Sequence, residues 1–285
     1  MTIAVFGATG QLGRLTIDAL LARGVAADRI RALGRNPERL AELADAGVAT
    51  FTIDLDDAST LAAPLQGADE VFLISGSEVG KRLPQHRAAI DAAVAAGVRR
   101  ITYTSAPRAD VSTLVLAPEH KATEEYLAAS GLTTTILRDG WYTENYQPDF
   151  GVAQATGVIA NSVGATARIA SAPRTDFAEA AAIVLTTDGH DGKVYEVSGD
   201  TAWTWPEFAE AASQVLGKPI EYKAITVDEE RVALAAAGLP APVVDLVVGL
   251  NEGTRDDQLS LTTGDLSRIL GRPTTPIVDT MRSWA

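Results

Sequence analysis

Short apolar, β-prone runs alternate with stretches of helical periodicity through the first half of this chain. The runs at 2–6, 29–34, 49–53, 70–75, 100–105 and 133–138 predict strands. Helical patterns occupy 11–23, 37–46, 57–64, 83–97 and 118–130. Several helix ends carry chemical markers: Asn36-Pro37 opens one, and Gly47, Gly97 and Gly131 each close one. The alternation predicts βαβ units, and so an α/β fold with a doubly wound parallel sheet.

After residue 138 the rhythm changes. Aromatic residues gather at 141–150, short strands are expected near 157–160 and 166–170, and a helix at 175–186. Val194-Tyr195-Glu196-Val197 reads as a strand. Thr204, Pro206 and Glu207 form a capping-box signature. Residues 228–270 read as mostly helical, interrupted by the polar stretch 251–257. The expected organisation is a nucleotide-binding domain over 1–140 and a smaller α/β substrate lobe over 141–285, with about 175–198 returning to the first sheet.

The first strand breaks straight into Gly7-Ala8-Thr9-Gly10-Gln11-Leu12-Gly13, and a helical pattern follows. Strand, glycine turn and helix in that order form the context of a dinucleotide-binding, Rossmann-type motif. Gly7 permits the sharp turn, Gly10 lets backbone approach a pyrophosphate, and Gly13 lets the helix pack on its strand. The amides of Gln11 and Leu12 would face the phosphates from a helix N-terminus. The second strand ends Ala32-Leu33-Gly34-Arg35-Asn36, with an arginine where NAD-preferring folds carry an acid. Arg35 would grip a 2′-phosphate through a forked bond, which favours NADP(H). Arg39 either adds charge there or is surface. Asp54 either accepts from the adenine amino group or caps the next helix.

With a net charge of −13 and no cysteine, the chain is a poor match for nucleic acid or anionic membrane, and disulfides and thiolate metal sites are excluded. The N-terminus opens in a core strand without a leader pattern, and no window is long enough for a membrane span, so a cytoplasmic location is expected.

The opening glycine motif, the turn Gly34-Arg35-Asn36-Pro37, the segment Ser75–Gly80, Thr104-Ser105 and above all the block Leu137–Tyr146 resemble the NmrA-like group of atypical short-chain dehydrogenases. The likeness is strongest to its NADPH-dependent reductases of quinones and triphenylmethane dyes, and it runs over nearly the whole chain. It implies pyrophosphate contact from Gly7 to Leu12 and the 2′-phosphate at Arg35. It places Ser75 and Gly76 along the nicotinamide-side ribose, and the loop Arg138, Asp139, Gly140, Trp141, Tyr142 and Thr143 around the nicotinamide end. Asp139 departs from the asparagine of that pattern. Its added negative charge either weakens cofactor binding or serves another local contact.

The Tyr-x-x-x-Lys pair of ordinary short-chain dehydrogenases is missing: Ala117 stands four residues before Lys121. A quinone relaxes that requirement, because hydride addition gives a stabilised phenolate rather than an alkoxide, and placement of a flat acceptor becomes the main contribution. Trp141, Tyr142, Tyr146 and Phe150 could sandwich such an acceptor, and Asn145 could bond to its oxygen; the same aromatics could instead be core. Lys121 is the one weak candidate for a proton donor, and no catalytic residue is otherwise identified. His86 either lines the cleft or serves as a cap or surface residue. His120 and Glu124 share a helix face without a third ligand, so no metal is expected. The reading is an NADPH-dependent reductase acting on a small planar, quinone-like acceptor. A homodimer is left open, and neither nucleic acid nor membrane is expected as a partner. The alternatives are a catalytically silent NADP(H)-sensing regulator and a reductase of triphenylmethane dyes or other activated acceptors.

Overall fold

The computed structural model describes all 285 residues. In chain order the elements are β1 (Ile3–Phe6), α1 (Gln11–Ala22), β2 (Ile30–Gly34), α2 (Pro37–Asp45), β3 (Ala49–Thr52), α3 (Ala62–Leu65), β4 (Glu70–Leu73), α4 (Arg82–Ala95), β5 (Arg100–Ser105), α5 (Ala117–Ala129) and β6 (Thr133–Asp139). They continue with β7 (Trp141–Tyr142), α6 (Gln147–Thr156), β8 (Val158–Asn161), β9 (Ser171–Ala172), α7 (Arg174–Thr186), β10 (Val194–Val197), α8 (Trp205–Leu216), β11 (Glu221–Ala224), α9 (Val227–Ala236) and α10 (Ala241–Arg255). Two short helices, α11 (Asp265–Leu270) and α12 (Ile277–Arg282), end the chain.

The chain forms two compact units. The first comprises Met1–Asp110, Leu116–Asp139 and Arg174–Glu196; the second comprises Val111–Val115, Gly140–Pro173 and Val197–Ala285. The first is built on a seven-stranded sheet of order β10-β6-β5-β4-β1-β2-β3. β1 pairs in parallel with both β2 and β4, and β5 in parallel with both β4 and β6. The chain leaves β1 toward β2 and β3, then returns to lay β4 on the other side of β1. That reversal is the switch point at which open α/β sheets bind ligands.

The central strands β1, β2, β4 and β5 are buried nearly throughout, as a sheet covered on both faces requires, while the edge strands β3 and β10 are more open. Phe6, Leu33, Leu73 and Ile101 share one continuous apolar cluster with Ile90 and Ala93 of α4. Burial of each of the phenylalanine, leucine and isoleucine side chains contributes about 1.5–3 kcal/mol. Local chemistry agrees with this packing. Asn36 caps α2 by accepting from the Arg39 N–H at 3.1 Å, and Gly47 beyond its end has φ of +84°.

Three expectations shift. The helix expected over 57–64 splits into a tight turn at Ala58–Thr60 and the single turn α3, because Asp57 caps the first piece and the chain tightens at Leu61. The strand expected at 166–170 reduces to a bridge between Ile169 and Trp203 followed by β9. The break expected over 251–257 begins later: α10 runs through Arg255 and ends inside that stretch, and 256–264 is not helical. Polar groups of the stretch have partners, Asn251 donating to Glu230 at 2.8 Å and Arg255 to the Ser162 carbonyl at 2.7 Å.

In the second unit, β8 pairs in parallel with β11 and β7 with β9. Thr204 and Glu207 form the expected capping box at the start of α8. No helix is long and apolar enough to cross a membrane.

Candidate functional site

At the switch point, the first unit opens a cleft of about 250 Å³. Gly7, Thr9 and Gly10 form one wall, Gly34 and Arg35 another, and Ile74–Glu78 a third, with Asp54 on the rim. β4 ends at Leu73, two residues short of the expected end, and this leaves Ile74 and Ser75 in the wall.

The glycines are required by contact. Gly7 adopts φ of +76°. A Cβ on Gly13 would lie 2.3 Å from the Gly7 carbonyl, and one on Gly34 would lie 2.5 Å from the Thr9 methyl. The loop is therefore folded against the start of α1 and the end of β2 with no space for a Cβ at residues 13 and 34. Arg39 adds a brace that sequence reasoning left open: its Nη1 donates to the Thr9 carbonyl at 2.9 Å. Asp54 does not cap the following helix, a role taken by Asp57, which accepts from the Ser59 N–H at 3.0 Å. The Asp54 carboxylate instead accepts from the Asp56 N–H at the cleft rim.

The Ser75-Gly76 wall is clamped from beneath. The Ser75 N–H donates to Thr104 Oγ1 at 2.9 Å and the Gly76 N–H to His86 Nε2 at 3.2 Å. Arg82 Nε donates to the Gly76 carbonyl at 2.6 Å. His86 is fully buried, and burial, reinforced by the nearby Arg82 charge, lowers its pKa to about 4. His120 is buried likewise, at about 3, and its Nδ1 lies 2.8 Å from the Tyr103 hydroxyl. Burial pushes the Tyr103 phenol well above its ordinary value, so it is not poised as an acid near neutral pH.

The remaining expected residues fall into distinct settings. Arg138 is held by Glu124 at 2.7 Å, Asp110 at 2.8 Å and Glu196 at 2.9 Å. Asp139 is buried at the end of β6, and Lys121 is exposed on α5. In the second unit, Gly140 lies against the backbone of Val197, its N–H donating to that carbonyl at 2.6 Å. Trp141 and Tyr142 are half-buried on β7, and Asn145 is exposed. Thr143 is buried, 2.9 Å from Ser171 Oγ, which also accepts from Trp203 Nε1.

Tyr146 and Phe150, expected at the acceptor, are inside this unit. Tyr146 packs edge-on against Trp203 and Trp205 at 4.9 and 5.3 Å between ring centres. Phe150 is 1% exposed and meets Trp284. Their aromatic surface is engaged in packing, which favours the core alternative for these two rings.

A larger open groove of about 1040 Å³ lies beside α3 and α4. Its walls are mostly alanine, and its arginine, Arg87, is stacked over Tyr126 at 4.8 Å.

A glycine-walled cleft at a sheet switch point, with an arginine beyond β2, defines a nucleotide-binding α/β protein of the doubly wound class. The chain belongs to the NAD(P)H-binding family, whose model matches residues 7–188. It is 42% identical to quinone oxidoreductase 2 of Escherichia coli K12 over 98% of this chain and 97% of that one. It superposes on the E. coli quinone oxidoreductase structure complexed with NADPH with a TM-score of 0.94, covering 99% of each chain. Triphenylmethane reductase of Citrobacter sp., solved with NADP(H), is 33% identical, with a TM-score of 0.95 over all of both chains. The likeness to NADPH-dependent reductases of quinones and dyes thus holds, and the family's cofactor fits a cleft lined by Gly7, Gly10, Gly34 and Gly76, where backbone can approach a ligand closely.

Proposed function

We propose that this chain is an NADPH-dependent reductase of quinones or similarly planar acceptors. The observation that carries the reading is the cleft itself: a glycine wall for a pyrophosphate and Arg35, in place of an acid, beyond β2. Bound NADPH supplies the hydride. The chain's residues bind and orient. The turn at Gly7–Leu12 approaches the pyrophosphate, with Thr9 in the cleft wall, Ala8 buried behind it, and the amides of Gln11 and Leu12 at the start of α1. Arg35 takes the 2′-phosphate, and Ser75 and Gly76 the nicotinamide-side ribose. Arg138, engaged by carboxylates, anchors the turn through Asp139 and Gly140 to Thr143 rather than meeting a phosphate directly. Trp141, Tyr142 and Asn145 take the acceptor side.

With Ala117 in place of the usual tyrosine, no side chain is assigned as a general acid. That suits an acceptor whose reduced form is a stabilised phenolate. The first unit then serves as the cofactor domain and the second as the acceptor lobe, in a protein working on cytoplasmic NADPH.

The test is NADPH consumption against a panel of simple quinones and one triphenylmethane dye, with NADH in parallel. Acceptor-dependent turnover that prefers NADPH supports the reading. Tight NADPH binding with no turnover on any acceptor overturns it in favour of an NADP(H)-sensing regulator.

A further inference from the structure

Two opposite charges on the cleft wall come from different loops and hold each other. Arg35 follows β2 and Glu78 follows β4, yet Arg35 Nη1 donates to Glu78 Oε1 at 2.5 Å. Both residues line the nucleotide cleft. The Arg35 side chain is 63% exposed and that of Glu78 32%, so the pair lies open to whatever enters.

A guanidinium offers five N–H donors in a planar fork, and a phosphate monoester takes such a fork with two oxygens. The Glu78 carboxylate has the same acceptor chemistry. It is an anion of the chain itself, held by the guanidinium that would take a 2′-phosphate. Its hydrogen bonds from Arg35 and then Lys81 hold its pKa below the ordinary value, which keeps it ionised near neutral pH. The carboxylate also has a second cation to retire to. Lys81 Nζ lies 3.3 Å from Glu78 Oε2 on the same loop, so release of Arg35 leaves Glu78 partnered.

We propose that Glu78 is a specificity-determining residue that competes with the cofactor's 2′-phosphate for Arg35. NADPH must displace this carboxylate to reach the guanidinium. A ribose 2′-hydroxyl carries no charge to drive the exchange, so NADH binds with the pair intact. The preference for NADPH is therefore smaller than Arg35 alone would confer. This inference rests on Arg35 as the 2′-phosphate residue.

The experiment is a titration of NADPH and NADH into the wild-type chain, Glu78→Gln, Arg35→Ala and the double variant. An exposed ion pair is worth enough to predict that Glu78→Gln tightens NADPH about threefold. NADH affinity stays at the wild-type value, and the gain vanishes when Arg35 is alanine. Unchanged or weaker NADPH binding in Glu78→Gln, or an equal gain for NADH, overturns the proposal. A gain that survives in the double variant overturns it too. If Arg35→Ala weakens NADPH and NADH equally, the assignment of Arg35 itself fails, a result separate from the behaviour of Glu78.

Discussion

The backbone N–H of Gly76 donates to Nε2 of His86 at 3.2 Å, so a buried imidazole fixes a peptide on the wall of the cofactor cleft. The bond also assigns the tautomer. With Nε2 accepting, the proton of the neutral ring sits on Nδ1, which donates to Thr123 Oγ1 at 3.0 Å. The Thr123 hydroxyl passes its own proton toward the Glu119 carbonyl at 2.9 Å. Position on the wall is thereby tied to α4 and α5 at once.

Replacing His86 by alanine removes that acceptor and leaves a cavity. A part-buried donor without its partner costs about 1–3 kcal/mol, which we expect as lost stability in urea unfolding. Because Gly76 is on the cleft wall, NADPH affinity should weaken about tenfold, while kcat at saturating NADPH changes far less. Equal NADPH affinity in wild type and variant, despite the stability loss, would confine His86 to a packing role.

Acid should expose the same network. In the folded chain His86 and His120 hold pKa values of about 4 and about 3, whereas in the unfolded chain they titrate near an ordinary value of about 6.5. Below that value the unfolded state binds more protons, so stability is full above it and falls as pH drops toward the folded values. At pH 5 the loss approaches ~2 kcal/mol for each histidine. Asp149 works in the opposite sense: burial lifts its carboxyl to about 7, so its ionisation costs stability as pH rises toward neutral. Urea midpoints at neutral pH and at pH 5, compared between wild type and a His86→Asn, His120→Asn double variant, separate the terms. The variant should show a clearly flatter acid limb. Parallel limbs would mean the histidines are not neutral in the fold.

The glycine motif makes a steric prediction. A methyl on residue 13 would lie 2.3 Å from the Gly7 carbonyl and 2.8 Å from the Ala8 backbone. Neither neighbour is a flexible side-chain end, so Gly13→Ala must push the loop off α1. Overpacking of this kind costs about 1–3 kcal/mol, and the displaced loop should lose NADPH binding by more than about tenfold. Gly249→Ala is the control, since a Cβ there meets nothing within 4 Å and the residue lies inside α10. Intact NADPH affinity in Gly13→Ala would show that the loop is not held as the structure has it.

How much of this was legible in the sequence follows from how local each signal is. Asn36-Pro37 and Thr204–Glu207 announce helix starts within a few residues, and the glycine motif lies in one turn. The clamps are different. Arg35 meets Glu78 across 43 residues and Arg39 meets Thr9 across 30, and no spacing rule links loops after different strands. His86 was recoverable in part. The buried stripe Ala89, Ile90 and Ala93 of α4 extends back one turn to Gln85 and His86, which places the imidazole on the inward face. Its bond to Gly76 needed the fold. The aromatic block stayed ambiguous for a related reason: composition groups Trp141, Tyr142, Tyr146 and Phe150, but only the structure separates half-buried rings on β7 from rings packed against Trp203 and Trp284.

That separation can be measured. Phe150 is 1% exposed, and truncation of such a ring costs about 3–5 kcal/mol, so Phe150→Ala should unfold at much lower urea. The gentler Phe150→Leu keeps most of the volume and should leave the KM for a quinone unchanged at a temperature where both proteins are folded. Trp141 is half-buried on the two-residue strand β7, so Trp141→Ala should cost less stability and instead raise the quinone KM several-fold, with NADPH affinity changed less. A ring that stacks on a flat acceptor contributes mainly to holding and orienting it, and acceptors with larger ring systems should lose more in this variant than small ones. If Trp141→Ala leaves the KM of every quinone where it was while Phe150→Leu raises it, the roles of the two rings are reversed and the acceptor lies deeper in the second unit's aromatic cluster.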